Sequence, residues 1–324
     1  MTELARRILA FVDRAAVGAP PEPFEALALD IHRWQVAHDR VVASLVDRPV
    51  TDWTEIPAVP VGVFKDLPVG TVGDREPQVV FRTSGTTSGR RGEHRMRATA
   101  LYDHNAVRWA DRCVPGRPRV VVGLTEDVPD SSLSHMVARL GAASFHVRDG
   151  VLDPDGANRR IRDAGEAVFI ATTAFALEAW LPDASALPPG SVVMITGGFK
   201  GRIHTVDERD LAGWTRDRLR PARLVTEYGM TELSSQLWGT PETRYLPPPW
   251  LRVVAVDPVS GAPVRPGERG QLRFYDLCNL DGTLAIETMD EGRVHPDGSV
   301  ALAGRLTGAP PRGCSLTIEE ARGG

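Results

Sequence analysis

A run of glycine, serine and threonine residues between Phe81 and Gly92 is the part of the sequence best suited to binding an anion. Glycines let a backbone approach a ligand closely, consecutive N–H groups can form an anion-binding nest, and hydroxyl groups donate to phosphate oxygens. The run follows a predicted strand, where α/β sheets place ligands, and Arg90 and Arg91 add positive charge. It lacks the Gly-Lys-Ser/Thr ending of a Walker-type P-loop, and on composition alone a solvated polar loop is an equal alternative. The phosphate-binding candidates are Thr83, Ser84, Gly85, Thr86, Thr87, Ser88 and Gly89.

Three further polar motifs later in the chain help to decide between these alternatives. Thr196–Lys200 contains two glycines and a lysine, and Val225–Glu232 contains a tyrosine, a glycine, two threonines and two glutamates. The third motif occupies Glu287–Arg293 and is followed by Gly304 and Arg305. In order and in character, the four motifs resemble those of the adenylate-forming (acyl-CoA synthetase-like, or ANL) superfamily.

A narrower resemblance rests on three segments of the chain. Ile56–Lys65 precedes the phosphate loop, Thr196–Lys200 has the form Thr-Gly-Gly-Phe-Lys, and Arg312–Ser315 reads Arg-Gly-Cys-Ser. Together they resemble the acyl-protein synthetase (LuxE-like) family over the range from Val50 to Glu320. The resemblance implies a ligase that uses ATP and Mg²⁺ to join a carboxylic acid to AMP, releases pyrophosphate, and passes the acyl group to a thiol.

The resemblance also implies roles for the residues of the Tyr-Gly-x-Thr-Glu motif. Tyr228 would stack on adenine, Thr231 would contact the α-phosphate, and Glu232 would hold Mg²⁺, which prefers hard oxygen ligands. Gly229 lies in the same turn, and Glu227 either belongs to the nucleotide site or only caps that turn. For Tyr228 the alternative is a core aromatic residue at the end of a strand.

Four more positions of the nucleotide site follow from the same resemblance. Gly197 and Gly198 would let the backbone pass close under the adenine. Asp290 would accept the two ribose hydroxyls, and Arg305 would add a fixed fork of donors. Because the superfamily's usual Thr-Gly-Asp reads Thr-Met-Asp in this chain, an aspartate in a hairpin is the alternative for Asp290.

Lysine is rare in this sequence, which contains only Lys65 and Lys200. Members of the superfamily usually carry a catalytic lysine on a mobile C-terminal domain, whereas no lysine follows Lys200 here and the sequence ends soon after Arg305. We therefore expect a truncated C-terminal domain, with Lys200 or the pair Arg90 and Arg91 as the cation near the α-phosphate. The alternative for Lys200 is a solvated lysine near a turn.

Cys314 is predicted to be a second catalytic group. In the bioluminescence synthetases a cysteine near the C-terminus accepts the acyl group, and such a cysteine has to be exposed and ionised. Arg312 lies two residues away and could lower the pKa of this thiol. An inert cysteine in the tail is the alternative, and Cys113 and Cys278 are expected to be structural.

The elements that must position these residues are predicted from hydrophobic patterning. Strands alternate with helical patterns in residues 51–250, which predicts an α/β core with a mostly parallel sheet layered with helices. Turn signals between short strands in residues 251–305 predict a smaller antiparallel β subdomain that completes the nucleotide site. Residues 1–50 form a predicted helical segment, and residues 306–324 a short tail. This is the N-terminal core of the ANL fold with a truncated C-terminal domain.

The boundaries of these elements are part of the prediction. The helices are Thr2–Val17, Glu22–Val46 and Thr205–Leu219, the last with a capping-box pair in Thr205 and Glu208. The strands of the α/β core are Val79–Arg82, Arg119–Leu124, Ser144–Val147, Ala167–Thr172, Ser191–Thr196 and Arg223–Glu227. The strands of the β subdomain are Leu251–Asp257, Gln271–Asp276, Thr283–Glu287 and Ser299–Ala303.

Composition argues against several classes of protein. Hydrophobic residues make up 42% and charged residues 25%, which is typical of a soluble globular protein. The net charge is −4, from 38 basic and 42 acidic residues, and provides no footprint for nucleic acid or an anionic membrane. No apolar stretch is long enough to cross a bilayer, and the N-terminus lacks the apolar core of a secretory signal. The three cysteines match no zinc or disulfide pattern, and we expect a cytoplasmic protein.

The expected partners follow from the proposed chemistry. A small aliphatic or aromatic carboxylic acid would be the substrate, bound by the apolar stretches Arg119–Ser144 and Ala167–Trp180. The acyl group would pass to Cys314 and then to a reductase or carrier protein, or else directly to CoA or a carrier-protein thiol. A degenerate nucleotide-binding scaffold subunit is the alternative from another class, and relatives are often homodimers. A Ser–His hydrolase is disfavoured, because Ser131–Met136 lacks a nucleophile elbow and its first serines are expected to cap a helix.

Overall fold

The computed structural model describes residues 2–73, 76–83, 90–197 and 208–306, apart from the side chain of Glu208. The helices within these ranges are α1 (Glu3–Ala15), α2 (Phe24–His38), α3 (Arg40–Ser44), α4 (Ala100–Cys113), α5 (Ser132–Arg139), α6 (Pro154–Ala164), α7 (Ala174–Trp180) and α8 (Glu208–Leu219). The strands are β1 (Val59–Pro60), β2 (Val79–Arg82), β3 (Glu93–Met96), β4 (Val120–Glu126), β5 (Ala142–Arg148), β6 (Val151–Leu152), β7 (Val168–Thr173), β8 (Val192–Thr196), β9 (Arg223–Tyr228), β10 (Leu237–Gly239), β11 (Leu251–Val256), β12 (Arg269–Asp276), β13 (Ala285–Val294) and β14 (Val300–Arg305).

The larger sheet has seven strands in the order β10, β9, β8, β7, β4, β5, β6. The five inner strands are parallel, and the edge strands β10 and β6 pair antiparallel with their neighbours. Every residue of β7 is buried, as expected for a parallel strand with helices on both faces. The carboxyl ends of the parallel strands share one edge, where Thr196 of β8 lies opposite Glu227 of β9. Ligands of α/β sheets bind at this edge.

The second sheet is built around β13, which is longer than the sequence predicts. Strand β12 pairs with one edge of β13, while the short β1 and then β14 pair with the other. The predicted strand ends at Glu287, whereas β13 continues through Asp290 because β14 provides it with a partner as far as Val294. Asp290 therefore lies within a paired strand, opposite Arg305 of β14.

The N-terminal helices are packed onto the second sheet. Buried side chains of α1 and α2, including Phe11 and Leu27, share one hydrophobic core with Tyr275 and Leu284. The single helix predicted over Glu22–Val46 is wrong, since Asp39 adopts an extended backbone and separates α2 from α3. The carboxylate of Asp39 accepts from two N–H groups of α3 and so caps that helix.

The predicted fold class is confirmed: a mostly parallel sheet is layered with helices and joined to a smaller, mostly antiparallel sheet. Ser131 caps α5, as expected, by accepting from the Ser134 N–H group. Thr205 of the expected capping box lies outside the described residues. None of the helices in the described part of the chain has the length and apolar character needed to cross a membrane.

Candidate functional site

The ends of β8 and β9 are joined by a buried side-chain contact. The Thr196 hydroxyl donates to Oε2 of Glu227, and both side chains are buried. Gly197 follows with φ +77°, a left-handed conformation that glycine adopts without a steric penalty. A Cβ atom on Gly229 would lie only 2.7 Å from Oε1 of Glu227, so any other residue there would require the carboxylate to shift. Glu227 thus fixes the turn that follows β9.

A second contact joins the two sheets. The Tyr228 hydroxyl donates a 2.7 Å hydrogen bond to Oδ2 of Asp290, and Nε of Arg305 lies 3.1 Å from Oδ1 of the same carboxylate. Asp290 is buried, and the hydrogen bond from Tyr228 and the ion pair with Arg305 compensate its charge. The expected ribose-binding carboxylate of Asp290 is therefore held in place by the expected adenine-binding residue.

The ring of Tyr228 is part of the core in this structure. It stacks on Phe274 with ring centroids 5.7 Å apart, meets Tyr245 edge-on, and is 3% exposed. An adenine base stacked on Tyr228 therefore needs a more open site than the one described. The predicted role of Tyr228 stays a prediction, and its packing matches the core-aromatic alternative.

Thr231 and Glu232 lie in the turn after β9, and buried polar side chains from distant segments hold their backbone. Nδ1 of His94 lies 2.8 Å from the carbonyl oxygen of Thr231, and because a carbonyl only accepts, Nδ1 carries the proton. Nδ2 of Asn279 donates to the carbonyl of Glu232 at 2.9 Å. Burial lowers the pKa of His94, so its ring stays neutral.

Glu232 is a buried carboxylate with an unusual environment. Burial raises the pKa of Glu232 to about 7, against the opposing effects of its own backbone N–H group and of the positive charges of Lys65 and Arg305. The nearby Asp290 carboxylate raises it further. A divalent cation would compensate two such carboxylates, and Mg²⁺ commonly takes one or two protein oxygens and fills its shell with water and phosphate. The donor set therefore fits Mg²⁺, although no group of three or more His, Cys, Asp or Glu side chains in the described ranges forms a metal cluster.

The base of the predicted phosphate loop is closed by a network around Thr83. Its N–H group donates to the Gly92 carbonyl at 2.9 Å, and its hydroxyl accepts from the Gly92 N–H group at 2.8 Å. Arg91 donates to the Thr83 carbonyl at 2.6 Å and pairs with Asp130 at 2.8 Å. Thr83 and Arg91 are thus engaged in holding the loop, while Arg90 is exposed and lies 3.6 Å from Asp66.

Several predicted residues lie outside the described part of the chain, and their roles stay predictions. They are Ser84, Gly85, Thr86, Thr87, Ser88, Gly89, Gly198, Lys200 and Cys314. Thr83 lies against Gly92 at the base of the predicted loop. The structure brings together the remaining candidates at the ends of β8 and β9 and along β13 and β14: Gly197, Glu227, Tyr228, Gly229, Thr231, Glu232, Asp290 and Arg305.

Lys65, His94 and Asn279 lie at the site, and the sequence motifs predicted no role for them. Lys65 had one available signal, since it is one of two lysines and ends the Ile56–Lys65 segment of the family resemblance. His94 and Asn279 carry no local motif, because they act on Thr231 and Glu232 from far along the chain.

Cys113 and Cys278 have the properties of structural cysteines. Burial raises the pKa of the Cys113 thiol to about 12 and that of the Cys278 thiol well above its usual value. Since a nucleophilic cysteine needs its thiolate, neither is suited to accept an acyl group at neutral pH.

The architecture is similar to that of solved adenylate-forming enzymes. ATP-bound MatB from Rhodopseudomonas palustris superposes with a TM-score of 0.52 and 15% identity over 72% of this chain and 49% of its own. VinN superposes with a TM-score of 0.53 and 16% identity over 72% of this chain and 62% of its own. The AMP complex of o-succinylbenzoate coenzyme A synthetase (MenE) from Bacillus subtilis superposes with a TM-score of 0.53. Its sequence is 16% identical over 71% of this chain and 50% of its own. MenE has also been solved with ATP and a magnesium ion.

No protein-family model and no curated protein sequence matches the chain. The chain spans about half the length of MatB and MenE and 62% of VinN. At 15–16% sequence identity, these similarities are evidence for a shared fold. They show that the chain has the fold of the N-terminal domain of adenylate-forming enzymes.

Proposed function

We propose that this chain is an ATP-dependent carboxylate ligase that forms an acyl-adenylate and then transfers the acyl group to a thiol. The observation that carries the proposal is the cluster of Tyr228, Asp290, Arg305 and Glu232 beside the carboxyl ends of β8 and β9. Structures with the same fold hold ATP, AMP and a magnesium ion. Because the chain spans only about half the length of those proteins, both steps of the reaction are proposed for it.

In this proposal the described residues bind and orient the nucleotide. The Asp290 carboxylate accepts from Tyr228 and would also accept from the ribose hydroxyls. Arg305 fixes that carboxylate and would add donors to the sugar. The Thr231 hydroxyl would donate to the α-phosphate from a turn whose backbone His94 holds in place.

Glu232 would hold the metal. When bound there, Mg²⁺ would neutralise phosphate charge and orient the leaving pyrophosphate. A carboxylate oxygen of the acid attacks the α-phosphorus, the bond to the bridging oxygen of the β-phosphate breaks, and pyrophosphate departs. A thiolate then attacks the acyl carbonyl carbon and AMP leaves.

The acyl acceptor is the finer part of the proposal. The LuxE-like resemblance favours Cys314 as the first acceptor and a reductase or carrier protein as the second. The described cysteines support this indirectly, since burial keeps Cys113 and Cys278 protonated. Intact-protein mass spectrometry after incubation with ATP, Mg²⁺ and acid should find one acyl adduct, which Cys314→Ser abolishes and Cys113→Ser does not. Acyl-CoA in solution with unmodified protein would favour CoA as the direct acceptor.

Pyrophosphate exchange tests the activation step itself. Wild-type protein should incorporate labelled pyrophosphate into ATP only when a suitable carboxylic acid is present. Glu232→Gln should reduce that exchange by about 100-fold or more, because it removes the metal-holding charge. Glu25→Gln, the same chemical change at an exposed position of α2, is the matched control. Tight Mg·ATP binding without exchange across a broad panel of acids would favour a nucleotide-binding scaffold instead.

A further inference from the structure

A short helix between β1 and β2 brings a lysine to the candidate site. A short 3₁₀ helix, Val61–Lys65, directly follows β1, which pairs in parallel with the start of β13. The helix packs against β13, the strand that carries Asp290, and against β3, the strand that follows the phosphate loop. Lys65 is the last residue of this helix and is half-buried.

The residues on both sides of Lys65 are anchored at the base of the loop. The buried Phe64 packs so closely against Gly92 that a Cβ atom there would lie 3.3 Å from its Cβ and 3.4 Å from its carbonyl oxygen. On the other side of Lys65, the carboxylate of Asp66 lies 3.6 Å from the guanidinium of Arg90. Lys65 is therefore held near Arg90 and Gly92, which follow the segment that is predicted to bind phosphates.

The positive charge of Lys65 lies close enough to the candidate metal ligand to act on it. It is among the charges close enough to stabilise the Glu232 carboxylate. Within the described residues, its ammonium makes no hydrogen bond and no ion pair. The neighbouring cations differ, since Arg305 pairs with Asp290 and Arg91 pairs with Asp130. Among the cations of the site that the structure describes, Lys65 is thus available for a ligand.

We propose that Lys65 is a catalytic residue that contacts the α-phosphate and stabilises its charge while the acid is adenylated. This inference rests on the proposed function and names the group that supplies positive charge. As the carboxylate oxygen bonds to the α-phosphorus and the bond to the bridging oxygen breaks, negative charge builds on the phosphate oxygens. A preorganised cation beside them lowers that barrier, and the ammonium neither gains nor loses a proton.

Pyrophosphate exchange with three variants tests this role. Lys65→Ala should lower the exchange rate at saturating ATP by about 100-fold, with a much smaller change in the dissociation constant of Mg·ATP. Lys65→Arg should retain more activity than Lys65→Ala, because it keeps the charge. Millimolar methylammonium should partly restore Lys65→Ala, an effect that a purely structural role would not produce. Leu67→Ala, at an exposed side chain two residues further on, is the matched control.

Lysine labelling of the wild-type protein gives a second measurement that needs no substitution. Since the chain has two lysines, an amine-reactive acetylating reagent yields two side-chain products that peptide mapping can separate. Mg·ATP should protect Lys65 from labelling by about five-fold or more, as expected for a side chain that a phosphate covers. Unchanged labelling of Lys65 at saturating Mg·ATP would contradict the contact, including in the case where Lys65→Ala does not fold.

The failure of this inference can be told apart from the failure of the proposed function. If the wild type exchanges pyrophosphate and Lys65→Ala stays within three-fold of it, the role of Lys65 is wrong while the ligase proposal stands. If wild-type protein neither binds Mg·ATP nor exchanges pyrophosphate with any acid, the ligase proposal fails and the inference fails with it. Lys200→Ala, measured in parallel, determines how far the second lysine shares the role.

Discussion

The Tyr228 hydroxyl donates a 2.7 Å hydrogen bond to Oδ2 of Asp290, and this bond joins the last residue of β9 to the middle of β13. The two residues belong to different sheets and are separated by most of the β subdomain along the chain. Their contact makes the residues expected at adenine and at ribose one unit, in which a change at either should be felt at the other.

Removing the Tyr228 hydroxyl should therefore weaken both stability and nucleotide binding. Tyr228→Phe keeps the ring stacked on Phe274 but leaves a buried carboxylate with one donor fewer, which should cost about 1–3 kcal/mol of unfolding free energy. Urea denaturation and calorimetric titration with Mg·ATP would measure the two effects. Tyr102→Phe, which loses a bond to the Ser132 carbonyl away from the site, should destabilise the fold without changing Mg·ATP affinity. Equal nucleotide affinity in both variants would contradict the coupling.

Glu232 should be a site where function costs stability. Its pKa is raised to about 7 by burial, so the folded state holds the proton more tightly than the unfolded state. Stability from this group is then present at low pH and is lost as the pH rises between the unfolded value of 4.5 and about 7. Glu232→Gln removes this loss, so its stability relative to the wild type should be greater at pH 8 than at pH 5, by at most ~3 kcal/mol.

Urea unfolding of apo protein at the two pH values measures that difference. The same variant should lose pyrophosphate exchange, and Mg·ATP should raise the Tm of the wild type but not that of Glu232→Gln. A variant that gains nothing in relative stability at high pH would show that the Glu232 carboxylate is not penalised by burial. A variant that exchanges normally would remove Glu232 from the metal site.

The strands and their order of appearance were largely predictable from the sequence. Buried parallel strands such as β7 read as continuous apolar runs, and the motifs that follow β8 and β9 had to meet because parallel strands end at one edge. The predicted strand ended at Glu287, short of Asp290, because the end of a strand depends on its partner, and β14 extends β13 beyond the apolar run.

Long-range contacts account for what the sequence did not reveal. The position of Lys65 depends on β1 pairing with β13 and on Phe64 packing against Gly92, and neither contact leaves a local pattern. Whether the ring of Tyr228 is exposed to a ligand or buried in the core depends on its packing against Phe274 in the other sheet. A tyrosine that follows an apolar strand has the same local sequence in both cases.

A methyl group on Gly229 should disturb the turn between β9 and the candidate metal ligand. The new Cβ would lie 2.7 Å from Oε1 of Glu227, and a shift of this buried carboxylate would strain its bond from Thr196. Gly229→Ala should therefore cost about 1–3 kcal/mol of unfolding free energy and lower Mg·ATP affinity. Gly213→Ala is the control, since a Cβ there meets nothing within 4 Å and should stabilise α8 by about 0.5–1 kcal/mol.

A double-mutant cycle separates this mechanism from a local clash. Thr196→Val removes the same hydrogen bond from the opposite side. If Gly229→Ala acts through Glu227, the combined variant should lose less stability than the sum of the two single losses. Strict additivity would mean that the methyl group acts elsewhere in the turn.

His94 should make the turn at Thr231 sensitive to acid. Burial lowers the pKa of His94, so the unfolded chain takes up a proton more readily than the folded one, and stability falls as the pH drops below the unfolded value of 6.5. His94→Gln removes this titration, so the variant should lose less unfolding free energy than the wild type between pH 7 and pH 5. His146→Gln is the comparison, because burial also lowers the pKa of His146.

The two histidines should differ in their effect on the nucleotide. His94 donates to the carbonyl of Thr231, whereas His146 contacts Ser144 on β5, at the far side of the sheet from β9. Both variants should flatten the acid limb of the stability profile, but only His94→Gln should slow pyrophosphate exchange, since it releases the turn that carries Thr231 and Glu232. An equal loss of exchange in both variants would mean that destabilisation alone explains the effect, and His94 would then have no specific part in positioning the turn.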